Sequence, residues 1–442
     1  MLYKHAEKTN KKCRLMVSQP RRIAALALMN RLRPDIGNKV GMRMGHDTRD
    51  ETSETTLWFV TTGYLVRYLA HHPEAFNNHT HLIVDEVHER SIDGDLLCYM
   101  CRNLLSTHPH IRIILMSATI HTTLYKEYFR NYNELEETDK YYKPGKQSNE
   151  IECLSVGVKR FTVNVSYAND ILNTSGVVAG NVRALIDICE RGTGGSGGKK
   201  GGPRGKGNNG GYDDMDIKIP LSLFGTQCKV AVNIISSNRH SYLGKSVLLF
   251  VSGYLAIEDI SELITTQQSQ DRDVNYKVIP LHSELSDDQQ ELVFEAVERD
   301  TIKIIIATNI AESSITLPDL DTVLCFGTNK VLKYDHIAHT TRLVEAWISK
   351  DSGTQRAGRT GRVREGKIYR LYTENLYKRF NDHGISEFQR APVQEVILSL
   401  RVMLENSKDF SGVFPILEDL PEPPELSNVE KSMNYLFDGN YI

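Results

Sequence analysis

Short apolar runs recur along the chain and are separated by segments of helix-forming composition. They stand in two groups, first Arg14–Ser18, Leu57–Thr61, Leu82–Asp85 and Arg112–Ser117, and then Ser246–Ser252, Lys303–Thr308 and Thr322–Gly327. Several runs, such as Ile304-Ile305-Ile306, are continuous rather than alternating, which is typical of strands buried on both faces of a parallel sheet. The sequence therefore predicts an α/β protein with two parallel sheets in tandem.

The helix after the first run is the easiest to recognise. Strong helix formers follow Pro20, from Arg22 to Met29. Since proline ends or kinks a helix, we expect this helix to stop before Pro34.

The pattern divides the chain into two large domains and the beginning of a third. We expect the first at residues 1–165 and the second at 166–388, because each contains one group of apolar runs. Residues 191–211 are rich in Gly and Lys and nearly devoid of apolar side chains, which predicts a disordered insertion. It is a solvated spacer or, as the alternative, an RNA contact. A helical run at Val393–Leu404 and a Pro/Glu-rich joint indicate that a third domain begins within 389–442.

Composition excludes several classes of protein. The 442 residues are 40% hydrophobic and 25% charged, with a formal net charge of −3, which excludes a wholly disordered, fibrous or membrane-embedded chain. No apolar stretch approaches the ~18 residues of a spanning helix, so we expect an intracellular protein of the cytoplasm or nucleus that does not engage a membrane. The seven cysteines are scattered, so free thiols are expected, with Cys98 and Cys101 as buried helix positions rather than metal ligands.

Acidic residues directly follow the third apolar run. Asp85-Glu86-Val87-His88 begins at the carboxyl end of a predicted strand, where an open parallel sheet binds its ligands. Phosphate chemistry needs one carboxylate to hold Mg²⁺, usually through water, and a second to orient or deprotonate the attacking water. Asp85 and Glu86 supply both, although two acids after a strand are weak evidence without their surroundings.

Small polar residues end two other runs. Ser117 and Thr119 close the fourth, and Thr308 and Asn309 close one of the second group. Their hydroxyl and amide groups suit sugar and phosphate oxygens. Ordinary capping of a strand end is the alternative for the second pair.

A basic run lies near the end of the second domain. Residues 356–370 contain six basic side chains against one acidic. A solvated basic face is the simplest interpretation of such a run. Arg359 and Arg362 stand three residues apart, however, and on a helical turn they would point the same way and could clamp a phosphate.

Together these segments resemble the DEAH/DExH-box RNA helicases of helicase superfamily 2. The likeness covers about Leu15–Thr123, Phe161–Asp170 and Val247–Leu400. The segments that resemble family motifs Ia, Ib, II, III, IV, V and VI are, in order, Gln19–Ala25, Thr61–Gly63, Asp85–His88, Ser117–Thr119, Phe250–Gly253, Ala307–Pro318 and Gln355–Arg362. Several separate motifs in the family's order make chance agreement negligible.

The resemblance implies a fold, a reaction and a set of roles. It implies two RecA-like domains, followed by the start of a winged-helix-like domain, that hydrolyse ATP with Mg²⁺ and move along single-stranded RNA as a monomer. Asp85 and Glu86 would bind Mg²⁺ and nucleotide, and Arg359 and Arg362 would be arginine fingers. The implied catalytic set is Asp85, Glu86, His88, Gln355, Arg359 and Arg362. The implied RNA contacts are Arg21, Arg22, Thr61, Thr62, Gly63, Thr308 and Asn309, and Ser117 and Thr119 would couple hydrolysis to strand movement.

One family element has no counterpart in the sequence. The phosphate-binding loop is glycine-rich and ends in Lys-Ser/Thr. In the family this loop precedes the strand that corresponds to Arg14–Ser18, but the first glycine of this chain is Gly37. We therefore expect weak ATP binding and interpret the chain as an incomplete fragment of a longer helicase. The rival hypothesis is a catalytically inactive RNA-binding module, and a DNA helicase of the same superfamily is a third possibility.

Overall fold

The computed structural model describes residues 2–45, 48–118, 122–130, 151–154, 157, 161–193, 217–312, 317, 319–335, 340–407 and 412–441. The chain forms two compact units. Unit 1 comprises Met1–Val156, Leu332–Arg342 and Ile385–Ile442, and unit 2 comprises Gly157–Val331 and Leu343–Gly384.

Most strands are short and carry continuous apolar sequence. In chain order they are β1 (Leu15–Gln19), β2 (Val40–Arg43), β3 (Arg49–Asp50), β4 (Leu57–Thr61), β5 (His81–Val84), β6 (Arg112–Leu115), β7 (Val163–Tyr167), β8 (Ser246–Phe250), β9 (Asn275–Leu281), β10 (Thr301–Ala307), β11 (Leu320–Cys325), β12 (Thr328–Asp335), β13 (Thr340–Trp347) and β14 (Gly366–Arg370).

Helices connect these strands and form the carboxyl-terminal segment. In chain order they are α1 (Leu2–Lys8), α2 (Arg22–Ile36), α3 (Thr62–His71), α4 (Ile92–Thr107), α5 (Thr122–Arg130), α6 (Ala168–Ile171), α7 (Ala179–Thr193), α8 (Leu223–Ser237), α9 (Tyr254–Gln268), α10 (Asp287–Glu291), α11 (Lys350–Ala357), α12 (Glu374–Lys378), α13 (Glu387–Arg390), α14 (Gln394–Ser407), α15 (Val413–Glu418) and α16 (Leu426–Asp438).

The sheet of unit 1 has the strand order β3-β2-β4-β1-β5-β6. All neighbours are parallel except β2 and β3. Strand β1 lies between β4 and β5, with Gln19 opposite Thr61 and Ser18 opposite Val84. The carboxyl ends of three strands therefore meet at the middle of one sheet edge.

Both faces of this sheet are buried, as its continuous apolar runs predict. Met16 and Val60 pack into one core, whereas Leu15 and Val17 pack into the other. Side chains of successive strand residues point to opposite faces, so an unbroken apolar run supplies both cores. Helices α3, α4, α14 and α16 contribute to the first core and α2 to the second. The segment 389–442, predicted from sequence as the beginning of a third domain, thus belongs to unit 1.

Unit 2 contains a second parallel sheet. Its strand order is β7-β14-β11-β8-β10-β9, and each of these neighbouring pairs is parallel. Every residue of β8, β10 and β11 is buried. Outside both parallel sheets, strands β12 and β13 form a separate two-stranded sheet, and Leu332–Arg342 of this pair belongs to unit 1. The predicted α/β architecture with two tandem parallel sheets is confirmed.

The apolar runs locate the central strands but miss peripheral ones. All seven predicted strands are present, with ends that differ by a few residues. The runs of the other strands are short or alternate with polar residues, and these strands were not predicted: β2, β3, β7, β9, β12, β13 and β14. The predicted end of α2 is wrong, since the helix continues through Pro34 to Ile36. Pro34 lies in the last turn of α2, where its ring nitrogen has no proton to donate to the carbonyl of Asn30, so the helix includes it without that backbone hydrogen bond.

Two further expectations have different outcomes. Cys98 and Cys101 are buried on α4 as free thiols, as predicted. Of the predicted insertion 191–211, only residues 191–193 lie within the described chain, where they end α7.

Membrane-spanning helices need a long apolar stretch, and none of the helices in the described ranges has one.

A buried histidine makes the stability of unit 1 depend on pH. His79 packs against Phe76 and Trp58, with ring centroids 4.8 Å and 5.5 Å away, and donates through Nδ1 to the carbonyl of Ala75. Burial, together with the charges of Arg14 and other cations, lowers the pKa of His79 to about 4. The unfolded value is about 6.5, so folding favours the neutral ring.

We therefore expect unit 1 to lose up to about 3 kcal/mol of stability from His79 as the pH falls from about 6.5 to about 4. The stabilisation is fully present above the unfolded pKa and is lost as the folded pKa is approached. Urea unfolding followed by Trp58 fluorescence measures it. His79→Phe keeps the aromatic contacts and should flatten the profile relative to the parent chain, whereas identical profiles would contradict this assignment.

Candidate functional site

Asp85 lies at the meeting point of the three strand ends in unit 1. It directly follows β5, and its Oδ1 accepts a hydrogen bond from the backbone N–H of Glu86 at 2.9 Å. Its Oδ2 accepts a second from Nε2 of Gln19 at 2.7 Å. Burial raises the pKa of Asp85, and these two donors oppose that effect. The result is a partly desolvated, oriented carboxylate.

Glu86 and His88 form a second pair on the same turn. Glu86 has a left-handed backbone conformation, with φ of 55°, which residues other than glycine seldom adopt. Its Oε2 lies 3.4 Å from Nε2 of His88. Nδ1 of His88 accepts from the backbone N–H of Ala118 at 3.2 Å, so in the neutral ring the proton is on Nε2, facing Glu86.

The same turn reaches toward the end of β6. Ala118 lies beside Ser117, whose side chain is exposed, and its bond to His88 connects the predicted motifs II and III. Tyr125 of α5 also donates to the carbonyl of Val87 at 2.6 Å. Thr119 lies outside the described residues, so its predicted role stays a prediction.

The carboxylate oxygens of Asp85 and Glu86 are suitable ligands for magnesium. Mg²⁺ prefers hard oxygen ligands and is commonly held by one or two carboxylates, with waters and substrate phosphates completing the shell. Among the described residues, no three His, Cys, Asp or Glu side chains form a complete protein cage. Asp85 and Glu86 are adjacent carboxylates that match a shared site of that kind. Asp85 is partly desolvated, and among the described residues no Lys or Arg is hydrogen-bonded to it.

Residues predicted to contact RNA lie at the neighbouring strand ends. Thr61 ends β4 beside Gln19 of β1. Thr62 begins α3, and its buried hydroxyl lies 2.9 Å from that of Ser18. Arg21 follows β1 and has Nη2 3.5 Å from Oε1 of Glu89.

The remaining members of this group differ in surroundings. Arg22 begins α2 with an exposed side chain. Gly63 lies so close to Asp93 that a Cβ at this position would be 2.5 Å from the Oδ2 atom, so a larger residue here would displace the Asp93 side chain. Burial raises the pKa of Asp93, and the charge of Arg67 lowers it. This Asp93–Arg67 support for the loop was not identified from sequence.

The predicted arginine pair lies in unit 2, just after α11. Gln355 is buried near the end of that helix. The expectation that Arg359 and Arg362 share a helical turn is wrong, since α11 ends at Ala357 and both lie in the turns that follow. The side chains of Arg359 and Arg362 nevertheless make the same type of hydrogen bond, to the backbone carbonyl four residues earlier. Nε of Arg359 donates to the carbonyl of Gln355 at 3.4 Å, and Nε of Arg362 donates to that of Gly358 at 3.1 Å.

Two other arginines of the basic run are buried rather than solvated. Arg356 has no exposed surface, and its Nε lies 3.0 Å from Oε2 of Glu312. Arg370 is 5% exposed and stacks on Tyr377, with 4.1 Å between the guanidinium carbon and the ring centroid. The simple interpretation as one solvated basic face therefore fails at these two positions.

Thr308 and Asn309 lie where the sequence places them, at the carboxyl end of β10. Thr308 is half-buried and donates its backbone N–H to the carbonyl of Leu281 at 3.2 Å. Asn309 is exposed and begins a short 3₁₀ turn that ends at Glu312. The turn therefore connects these polar residues to the carboxylate that pairs with Arg356.

Two family models each match a part of the chain. The model of the DEAD/DEAH box helicase domain matches residues 1–126, and the model of the helicase conserved C-terminal domain matches residues 227–364. The first match lies within unit 1, and the second lies largely within unit 2.

Curated relatives and a solved structure agree with those matches. The chain is 29% identical to DExH-box ATP-dependent RNA helicase DExH1 of Arabidopsis thaliana, over 96% of this chain and 42% of that protein. It is 30% identical to ATP-dependent RNA helicase DHX29 of Homo sapiens, over 96% of this chain and 32% of that protein. The fold resembles that of the Escherichia coli DEAH/RHA helicase HrpB, with a TM-score of 0.68 and 21% sequence identity. The match covers 96% of this chain and 44% of the HrpB chain. The chain thus spans less than half the length of these proteins.

Proposed function

Because the chain belongs to the DEAH/DExH-box helicase family, we propose that it acts in an ATP-dependent RNA helicase that couples ATP hydrolysis to movement along single-stranded RNA. The main support is the edge of the unit 1 sheet. There the ends of β1, β4 and β5 bring the predicted RNA contacts beside Asp85 and Glu86. In this proposal, a change at either group is passed to the other through these adjacent strands.

Each acidic residue has a distinct part in this proposal. Asp85 holds Mg²⁺ mostly through water, and the cation when bound supplies positive charge to the phosphates. Glu86 accepts a proton from the attacking water, and Nε2 of His88 lies 3.4 Å from its Oε2 atom. The roles that the family resemblance implies for Gln355, Arg359 and Arg362 of unit 2, in positioning water and stabilising negative charge on a transferred phosphate, stay predictions.

The RNA contacts form two groups in the proposal. In unit 1, Arg21 and Arg22 attract backbone phosphates, while the loop Thr61–Gly63 contacts phosphate or ribose oxygens. In unit 2, Thr308 and Asn309 offer a hydroxyl and an amide. Glu89, which lies 3.5 Å from Arg21, would compete with RNA phosphate for that guanidinium.

We expect Glu86→Gln to slow RNA-stimulated ATP hydrolysis by about 10²- to 10⁴-fold, because the amide cannot accept the proton of the attacking water. The assay is single-turnover hydrolysis in a version of the protein extended at its amino terminus by a phosphate-binding loop. Glu89→Gln makes the same chemical change on the same turn and should retain hydrolysis at saturating RNA. Unchanged hydrolysis by Glu86→Gln would refute the assignment.

The second candidate function is an RNA-binding module that does not turn over nucleotide. This candidate predicts RNA binding that weakens with salt and does not respond to nucleotide. RNA-dependent ATP hydrolysis by the 442-residue chain itself would eliminate it, and comparing stimulation by RNA and DNA strands tests the choice of RNA.

A further inference from the structure

Gln19 contacts the acidic site from a neighbouring strand. Its side chain is fully buried at the end of β1, and Nε2 lies 2.7 Å from Oδ2 of Asp85. The contact follows from the register of the sheet. Ser18 of β1 lies opposite Val84, the last residue of β5. The residues that follow them, Gln19 and Asp85, therefore come to the same edge of the sheet.

We propose that Gln19 is a positioning residue for the divalent cation, which fixes the carboxylate of Asp85 in the orientation that receives the metal or its water. The inference rests on the proposed function, because it assumes that Asp85 serves the cation. It adds a residue outside the acidic turn, in the segment that also carries Arg21.

Two donors fix the carboxylate from different directions. The backbone N–H of Glu86 binds Oδ1 at 2.9 Å, and Gln19 binds Oδ2 at 2.7 Å. With both oxygens held, the plane of the carboxylate is set. Each oxygen of an ionised carboxylate has two lone pairs, so one on each remains for a cation or its water.

The chemical type of Gln19 suits this task. An arginine or lysine at this distance would neutralise Asp85 and compete electrostatically with Mg²⁺. The glutamine amide is a neutral donor, so it orients the carboxylate and leaves its charge available. Residues that orient metal ligands in this way typically change metal affinity by about 10- to 100-fold when they are substituted.

The test is the affinity of the 442-residue chain for Mn²⁺, measured from the free-ion signal in electron paramagnetic resonance titrations. Gln19→Met has similar length and volume but no donor, and we expect it to weaken the Asp85-dependent Mn²⁺ affinity by about tenfold or more. Asp85→Asn defines which part of the binding depends on Asp85. A crystal structure of Gln19→Met should show the Asp85 side chain turned from its present orientation.

Ser18→Ala is the matched control. Ser18 is the preceding residue of β1, it is equally buried, and its hydroxyl bonds to Thr62 rather than to Asp85. Ser18→Ala should keep the Mn²⁺ affinity of the parent chain. An equal loss in both variants would assign the effect to the strand end in general and overturn the role of Gln19.

The outcomes separate this inference from the function on which it rests. If Asp85→Asn binds Mn²⁺ as the parent chain does, the proposed metal role of Asp85 fails. If Asp85→Asn loses affinity and Gln19→Met retains it, the positioning role of Gln19 fails. Should Gln19→Met not fold, Gln19→Asn keeps a buried amide that is one methylene too short to reach Asp85, and the same loss of affinity is expected.

Discussion

Replacing Arg90 by methionine is expected to lower the free energy of unfolding of unit 1 by about 3–5 kcal/mol. Arg90 is 6% exposed, and its Nε and Nη2 donate to the two carboxylate oxygens of Asp95 at 3.0 Å each. Its Nη1 lies 2.9 Å from Oε2 of Glu422, in the carboxyl-terminal segment. Methionine preserves much of the packing but leaves the carboxylate of Asp95, 1% exposed, without its cation.

The loss should also depend on pH. Burial already raises the pKa of Asp95 while Arg90 opposes it, so removal of Arg90 raises that pKa further. A carboxyl whose folded pKa lies above its unfolded value loses its contribution to stability as the pH rises through the folded pKa. The variant should therefore be less destabilised at pH 5 than at pH 8.

Urea unfolding of unit 1 can be followed separately, because the sequence has two tryptophans and only Trp58 lies in unit 1. In a Trp347→Phe background, its fluorescence reports this unit alone. Arg90→Met combined with Asp95→Leu should recover much of the loss, since no buried charge remains. Lys4→Ala removes an exposed ion pair with Asp35 and should change stability by less than about 1 kcal/mol. An equally small effect of Arg90→Met would contradict the prediction.

Replacing Arg356 by methionine should destabilise unit 2 by a similar amount, about 3–5 kcal/mol. This guanidinium has no exposed surface, and its Nε lies 3.0 Å from Oε2 of Glu312. Its Nη1 donates to the carbonyl of Thr328 at 3.3 Å, and its guanidinium carbon lies 4.9 Å from the ring centroid of Phe250. Removal leaves the carboxylate and the carbonyl without their buried donor.

Trp347 fluorescence in a Trp58→Phe background measures this effect on unit 2. Lys367→Met is the matched control, because Lys367 belongs to the same basic run and is exposed. It should change stability by no more than about 0.5 kcal/mol. If both variants unfold at the same urea concentration, Arg356 does not stabilise unit 2 as its burial implies.

The basic run shows why the roles of charged residues are difficult to infer from their order. Residues 356–370 look like one cationic surface in the sequence. In unit 2, Arg356 neutralises a buried carboxylate and Arg370 stacks on aromatic rings, whereas Lys367 faces solvent. Partners such as Glu312 and Tyr377 are distant along the chain, and no local pattern indicates them.

The order of residues along the chain was sufficient to predict the α/β class, the central strands and the position of Asp85 and Glu86. These properties depend on local chemistry, because a strand buried on both faces needs an unbroken apolar run and ligands gather at its carboxyl end. The contact of Gln19 with Asp85, the bond from Ala118 to His88 and the packing of residues 385–442 in unit 1 emerged from the folded chain alone. Each depends on strand register or on contacts between segments far apart in the sequence, and neither is encoded in any short stretch of residues.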